Sequence, residues 1–212
     1  MFLYNDKVLV DRSFKLSELF KLVKANKDIK TEASIIESIK LSHVLSPSTT
    51  NLEPCENVKE IYIIKIDLKE KHIPTVFLEM FDKQIKFQTL FKLFYKDSIV
   101  YRTSIKEFNE DGTLKLLKIF QTDWIEELKQ NFPTTSKLEM VYKTILANIT
   151  SYEFKKNEDF KEYIIRLDTI KKKNMEIDKL TRMMNAEKQQ NIKMEMNDKI
   201  KKLKNDLKAL EV

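Results

Sequence analysis

Apolar and polar positions follow two different periods along this chain. Leu16, Leu19, Phe20, Leu22 and Val23 recur at helical spacing behind Ser13 as a cap and predict a first helix. Thr31-Glu32-Ala33-Ser34 opens a second short helix carrying Ile35, Ile36 and Ile39. Leu41 to Pro47 leaves that period and predicts a strand or extended segment. Ser46 to Asn57, rich in Ser, Thr, Asn and Pro, predicts a loop. Val58 to Leu68 is the strongest strand: Ile64, Ile66 and Leu68 alternate with Lys65, Asp67 and Lys69, which predicts one buried and one wet face. Pro74, with Val76, Phe77, Met80 and Phe81 behind it, starts a helix that covers the sheet. Thr89–Tyr95 and Ile99–Phe108, separated by Lys96-Asp97-Ser98, form a hairpin. Leu114–Gln121 follows the turn Asn109-Glu110-Asp111-Gly112 and completes an antiparallel meander. Trp124 closes the body, and Lys137 to Asn148 is helical behind Thr135 or Ser136.

From about Lys155 onward the chain reads as a heavily charged amphipathic helix. A first seam runs through Leu167, Ile170, Ile177, Leu180 and Met184, and a second through Met196, Ile200, Leu203, Leu207 and Leu210. The two do not share one heptad frame, and Asn185 to Asn191 between them is polar apart from Ala186. This phase break fits a discontinuity in one long helix or the tip of an antiparallel helical hairpin. Residues 134–212 hold no glycine and no proline, which favours the continuous helix, extending roughly 85 Å at about 1.5 Å per residue. Such a helix cannot bury its own stripe, so the pattern implies a partner helix.

Composition narrows the function. The fold class is α+β: a small antiparallel sheet with covering helices (residues 1–150), followed by a long C-terminal coiled-coil or hairpin arm (151–212). The arm carries most of the net charge. Residues 155–212 hold 16 Lys+Arg against 11 Asp+Glu, while the preceding 154 residues hold 23 against 22. A single cysteine, Cys55, excludes an intramolecular disulfide and fits a reducing compartment. No run is apolar enough to span a membrane and no secretory signal opens the chain, so the expectation is a cytoplasmic protein without membrane contact. The single glycine, Gly112, excludes a Walker loop, a Rossmann fingerprint and a kinase glycine loop, because each needs glycines where backbone amides approach phosphates.

Few residues bring chemistry. His43 and His72 lie on different segments without ligand spacing, so neither a metal nor another cofactor is expected. Asp67-Leu68-Lys69, at the end of the best strand, matches a carboxylate-x-lysine pattern of metal-dependent nucleases, with Asp67 on the metal and Lys69 orienting water. The same letters also suit any amphipathic strand end. Lys171, Lys172, Lys173, Lys201 and Lys202 could track a phosphate backbone, although acidic residues interleave with them as on a solvated helix flank. Helix pairing through Ile170, Ile177, Leu180, Met184, Met196, Ile200, Leu203, Leu207 and Leu210 is the expected primary role of the arm.

Five pieces in order together resemble the bacterial and archaeal family called domain of unknown function 4391. They are Leu45-Ser-Pro-Ser-Thr-Thr-Asn51, Val58 to Pro74, Phe81-Asp-Lys-Gln-Ile85, Thr122-Asp-Trp124 and Glu187 to Asn197, and the likeness covers roughly Ile36 to Val212. Where the family tends to carry a proline-containing segment, this chain has Lys86-Phe-Gln-Thr89. The resemblance implies no defined activity. It does imply a setting, since members tend to be encoded beside helicases and DNA methyltransferases of restriction-modification-like loci. The resulting expectation is a non-enzymatic accessory subunit of a DNA-modification or anti-phage assembly. It would self-associate, or clasp a helicase or methyltransferase subunit, through the arm. A metal-dependent nuclease and a non-specific DNA-binding protein are the alternatives.

Overall fold

Six strands form one sheet in the order β1-β2-β3-β4-β5-β6: β1 (Leu9–Ser13), β2 (Ile36–Leu45), β3 (Ile61–Leu68), β4 (Gln88–Tyr95), β5 (Ser98–Phe108) and β6 (Leu114–Gln121). The computed structural model describes residues 6–108, 114–127 and 131–211. The expected turn at 109–112 lies outside them. Seven α-helices occur among the described residues: α1 (Leu16–Leu22), α2 (Lys27–Ala33), α3 (Pro47–Thr50), α4 (Thr75–Asp82), α5 (Leu138–Thr150), α6 (Phe160–Ala186) and α7 (Gln190–Glu211). The chain divides into two compact units, Met1–Glu153 and Phe154–Val212.

The fold is α+β, but the sheet is mixed rather than antiparallel. β3 and β4 run parallel, in register from Ile61↔Gln88 to Asp67↔Phe94. Parallel neighbours need a crossover, and α4 supplies it by carrying the chain back along one face. A second correction concerns Ile36 and Ile39, which sit in β2 opposite Leu68 and Ile66, not in a helix. Their three-residue spacing suits a strand here because the β2–β3 register shifts between Ile36 and Ser38. The strand β1 was not anticipated, and α2 begins earlier than expected, at Lys27, capped by the Asn26 side chain on Ile29 N.

One face of the sheet packs against α1, α2 and α4. Leu19, Val23, Ile29, Ala33, Phe77, Leu78 and Phe81 from the helices meet Ile64, Ile66, Leu68, Phe91, Leu93 and Val100 from the strands. The other face is not wholly wet. Ile61 and Ile63 are buried too, so the central strand is covered on both sides along its first half. Helix α5 packs on β5 and β6, and its buried Tyr142 hydroxyl donates to Ser104 O.

Helix α4 is held at both ends by side chains from other elements. At its start, the Glu32 carboxylate of α2 accepts from Val76 N (3.1 Å) and Phe77 N (3.0 Å). At its end, Lys106 Nζ on β5 donates to the carbonyls of Asp82 (3.1 Å), Ile85 (3.0 Å) and Phe87 (2.7 Å). The same ammonium pairs with Asp82 Oδ1 at 2.7 Å, with its side chain fully buried. Thr89 and Ser104 hydroxyls donate to the remaining Asp82 lone pairs. Charge signs match the helix dipole, anion at the N-terminus and cation at the C-terminus. Burial pulls the Lys106 pKa below the ordinary lysine value, and Asp82 pulls the other way.

The second unit is an antiparallel pair of helices, which corrects the continuous helix. Arg166 Nη1 donates to Leu210 O (3.1 Å) and Lys173 pairs with Asp206 (2.8 Å). In the register those contacts set, Ile170 falls opposite Leu207 and Ile177 opposite Ile200, and all four are buried. The tip needs neither glycine nor proline. Glu187 leaves the helix with extended backbone, and its Oε1 accepts from Lys188 N (2.7 Å) and Gln189 N (2.9 Å). Those two bonds hold its carboxyl below the usual carboxylate range. At the open end, Arg166 grips Glu158 through two bonds (2.6 and 2.8 Å), while Phe154 stacks on Tyr163 at 3.7 Å.

Two outcomes follow from these packings. Lys106→Met strands a buried Asp82 carboxylate and should lower unfolding stability by about 3–5 kcal/mol in urea titration; a loss below about 1 kcal/mol contradicts the capping role. Leu207→Asp should cut the helical circular-dichroism signal and expose α7 to protease while leaving the light-scattering mass unchanged, at a cost of about 3 kcal/mol or more. A change of mass would place the seam between chains.

Candidate functional site

The residues with chemical potential lie at one end of the sheet, where β2 begins and β3 ends. Asp67 is half-buried on β3. Its Oδ2 accepts from Ser38 Oγ (2.6 Å), and its Oδ1 pairs with Lys65 Nζ at 3.1 Å. Lys69 lies just past the strand, and its Nζ donates to Ser34 O at 3.1 Å. The β2–β3 register adds a residue the sequence did not single out. Glu37 occupies the shift between Ile36↔Leu68 and Ser38↔Asp67, so a second carboxylate-bearing position lies on the neighbouring strand, and it is exposed. Its signal was hidden because pairing across two strands is not a local pattern. Among the described residues, no three His, Cys, Asp or Glu side chains gather as a metal-binding group.

Around Asp67 the same sheet face carries cations over rings. Lys65 Nζ stands 5.0 Å from the Phe94 ring centre and Lys92 Nζ 5.4 Å from it. Lys92 also pairs with Glu127 at 2.6 Å. Each cation is thus attracted both to a ring face and to a carboxylate. His43, on β2, lies with Nδ1 2.6 Å from Ser42 Oγ. Burial, and then the Lys92 charge, lower its pKa, against an opposing pull from Asp11. The Cys55 thiol is pushed up by burial, the opposite of what an activated nucleophile needs.

The pairing residues of the arm all come from two helices of the same chain. Ile170, Ile177, Ile200 and Leu207 are buried; Leu180, Met184, Met196, Leu203 and Leu210 are half-buried. The four buried seam positions are covered by the facing helix of the same chain. The physical reason is proximity: α7 lies three residues beyond α6. The five lysines expected to contact nucleic acid separate. Lys173 is bound to Asp206 and Lys201 lies 3.7 Å from Asp198, whereas Lys171, Lys172 and Lys202 are exposed.

Exposed apolar side chains mark a different surface. All five residues of β1 are exposed, with Leu9 54% and Val10 44% accessible. This strand is an edge of the sheet, pairing with β2 alone among the described residues. No helix of the described residues is long and apolar enough to cross a membrane.

No curated protein matches the chain, and no solved structure matches it either. A family model does: residues 6–207 match the one described as Domain of unknown function (DUF4391), and with nearly its whole length matched the chain belongs to that family.

Proposed function

We propose that this protein is a non-enzymatic accessory subunit of a DNA restriction-modification or anti-phage assembly, working through contacts with other proteins. The observation that carries a binding role is the β1 edge. A strand that pairs on one side alone among the described residues, and that exposes Leu9 and Val10, is a template for strand addition from another chain. The two strongest catalytic candidates point the same way, because Asp67 is engaged by Ser38 and Lys65 and Lys69 by Ser34. The kind of assembly rests on the family's tendency to be encoded beside helicases and DNA methyltransferases. The arm contributes its outer surfaces, since its seam is internally filled.

One observation favours a second reading. Glu37 and Asp67 are neighbours across β2 and β3, and magnesium needs only one or two protein carboxylates beside substrate phosphates. In that reading the pair holds a divalent cation and Lys69 orients water for phosphodiester hydrolysis.

Co-expression with the neighbouring helicase and methyltransferase subunits tests the first reading. The tagged chain should retain one of them through gel filtration, and Leu9→Lys with Val10→Lys should weaken retention about tenfold or more without loss of helical signal. Retention of neither subunit, or retention unchanged in the double variant, removes it. For the second reading, any magnesium-dependent DNA cleavage should vanish in Asp67→Ala. Cleavage surviving that change places the activity elsewhere.

A further inference from the structure

We infer that the outward face of α6 is a docking strip for the phosphate backbone of duplex nucleic acid, carried by Lys171, Lys172, Lys179 and Arg182. At about 100° per residue, the buried Tyr163, Arg166, Ile170 and Ile177 define one side of this helix. Lys172, Lys179 and Arg182 lie on the opposite side, and Lys171 lies at its margin. All four are exposed, and among the described residues none forms an ion pair. Asp168 is the one carboxylate within that face, with Glu176 and Asp178 at its two margins. The strip therefore keeps an excess of cations that no internal contact uses. Of the arm's other lysines, Lys173 pairs with Asp206 and Lys155 donates to Ala209 O, while the exposed Lys202 shares its side of α7 with Glu195 and Asp198.

The chemistry of the face selects the polyanion. Its exposed apolar residues are Met175, with Ile165 and Met183 at one margin, widely spaced and interleaved with cations. That is too sparse an apolar surface to enter a bilayer, which calls for a continuous apolar stripe. Bases of a single strand would need exposed aromatic rings, and the last ring on the helix, Tyr163, is buried. A regular duplex backbone asks only for spaced cations, read without regard to sequence. This inference concerns a different surface from the β1 edge and stands or falls without it.

Fluorescence anisotropy of a labelled 20-base-pair duplex of arbitrary sequence, titrated with the full chain across salt concentrations, tests it. Four phosphate contacts give a slope of log affinity on log salt of about −3 to −4. Lys172→Glu with Lys179→Glu and Arg182→Glu should weaken binding about tenfold or more and flatten the slope by about three. Lys201→Glu with Lys202→Glu on α7 should change affinity less than about threefold. Helical signal equal to the parent's guards against a lost hairpin, and the corresponding Lys→Gln and Arg→Gln changes replace any variant that unfolds. Equal loss in the α7 variant, no loss in the α6 variant, or binding of phosphatidylserine vesicles in place of the duplex each overturns the assignment.

Discussion

A helix ends on backbone carbonyls that have no donor within the helix, and a left-handed glycine just past the end is a common way to satisfy them. This chain has a single glycine and uses side-chain cations at two of its helix ends. Lys106 takes the carbonyls at the end of α4, while Lys155 and Arg166 take those of Ala209 and Leu210 at the end of α7. Two of these cations are themselves tied to carboxylates, Lys106 to Asp82 and Arg166 to Glu158, so those caps also anchor the helix. The first of these anchors fixes against β5 the end of α4, the helix of the crossover between the parallel strands β3 and β4. Desolvating the ammonium is costly, and it is offset by three carbonyls and a carboxylate meeting at one atom.

Other turns bear the same compositional mark. Lys24, Asn51, Lys96, Ser151 and Asn157 adopt positive φ, a region that side chains with Cβ enter at a cost of about 1 kcal/mol each. The same residues have less freedom than glycine in the unfolded chain. The two effects oppose one another, so the protein tolerates strained turns that a glycine-rich chain would avoid.

Much of the body was legible because its signals are local. β3 to β6 follow alternation and turn residues, and α1, α4 and α5 follow helical spacing. What escaped depended on pairing between distant segments. Ile36 and Ile39 are three apart, so they read as helix until β3 is placed beside them with a shifted register. The parallel direction of β4 is set by where α4 lies, not by any residue in β4. Lys106 looks like one more polar position in a strand, yet it points beneath α4 because β5 turns that face inward. Of the candidate site, Asp67 and Lys69 were visible and Glu37 was not, for the same reason. The helical hairpin is one of two readings the sequence leaves open, with the continuous helix favoured over it for a different reason. The hairpin's tip is built by a carboxylate capping two amides, and Glu187 among Lys and Gln carries no turn signature.

The hairpin also governs competition. Two helices joined by three residues meet at an effective concentration on the order of millimolar, set by the short connection and not by how much protein the cell holds. An outside helix present at micromolar levels would have to bind the seam of α6 about a thousandfold better than α7 does to replace it. The polar phase break that separates the two seams thus acts as a selectivity device. By folding the arm back on itself, it raises the affinity that any outside amphipathic helix would need to enter the seam.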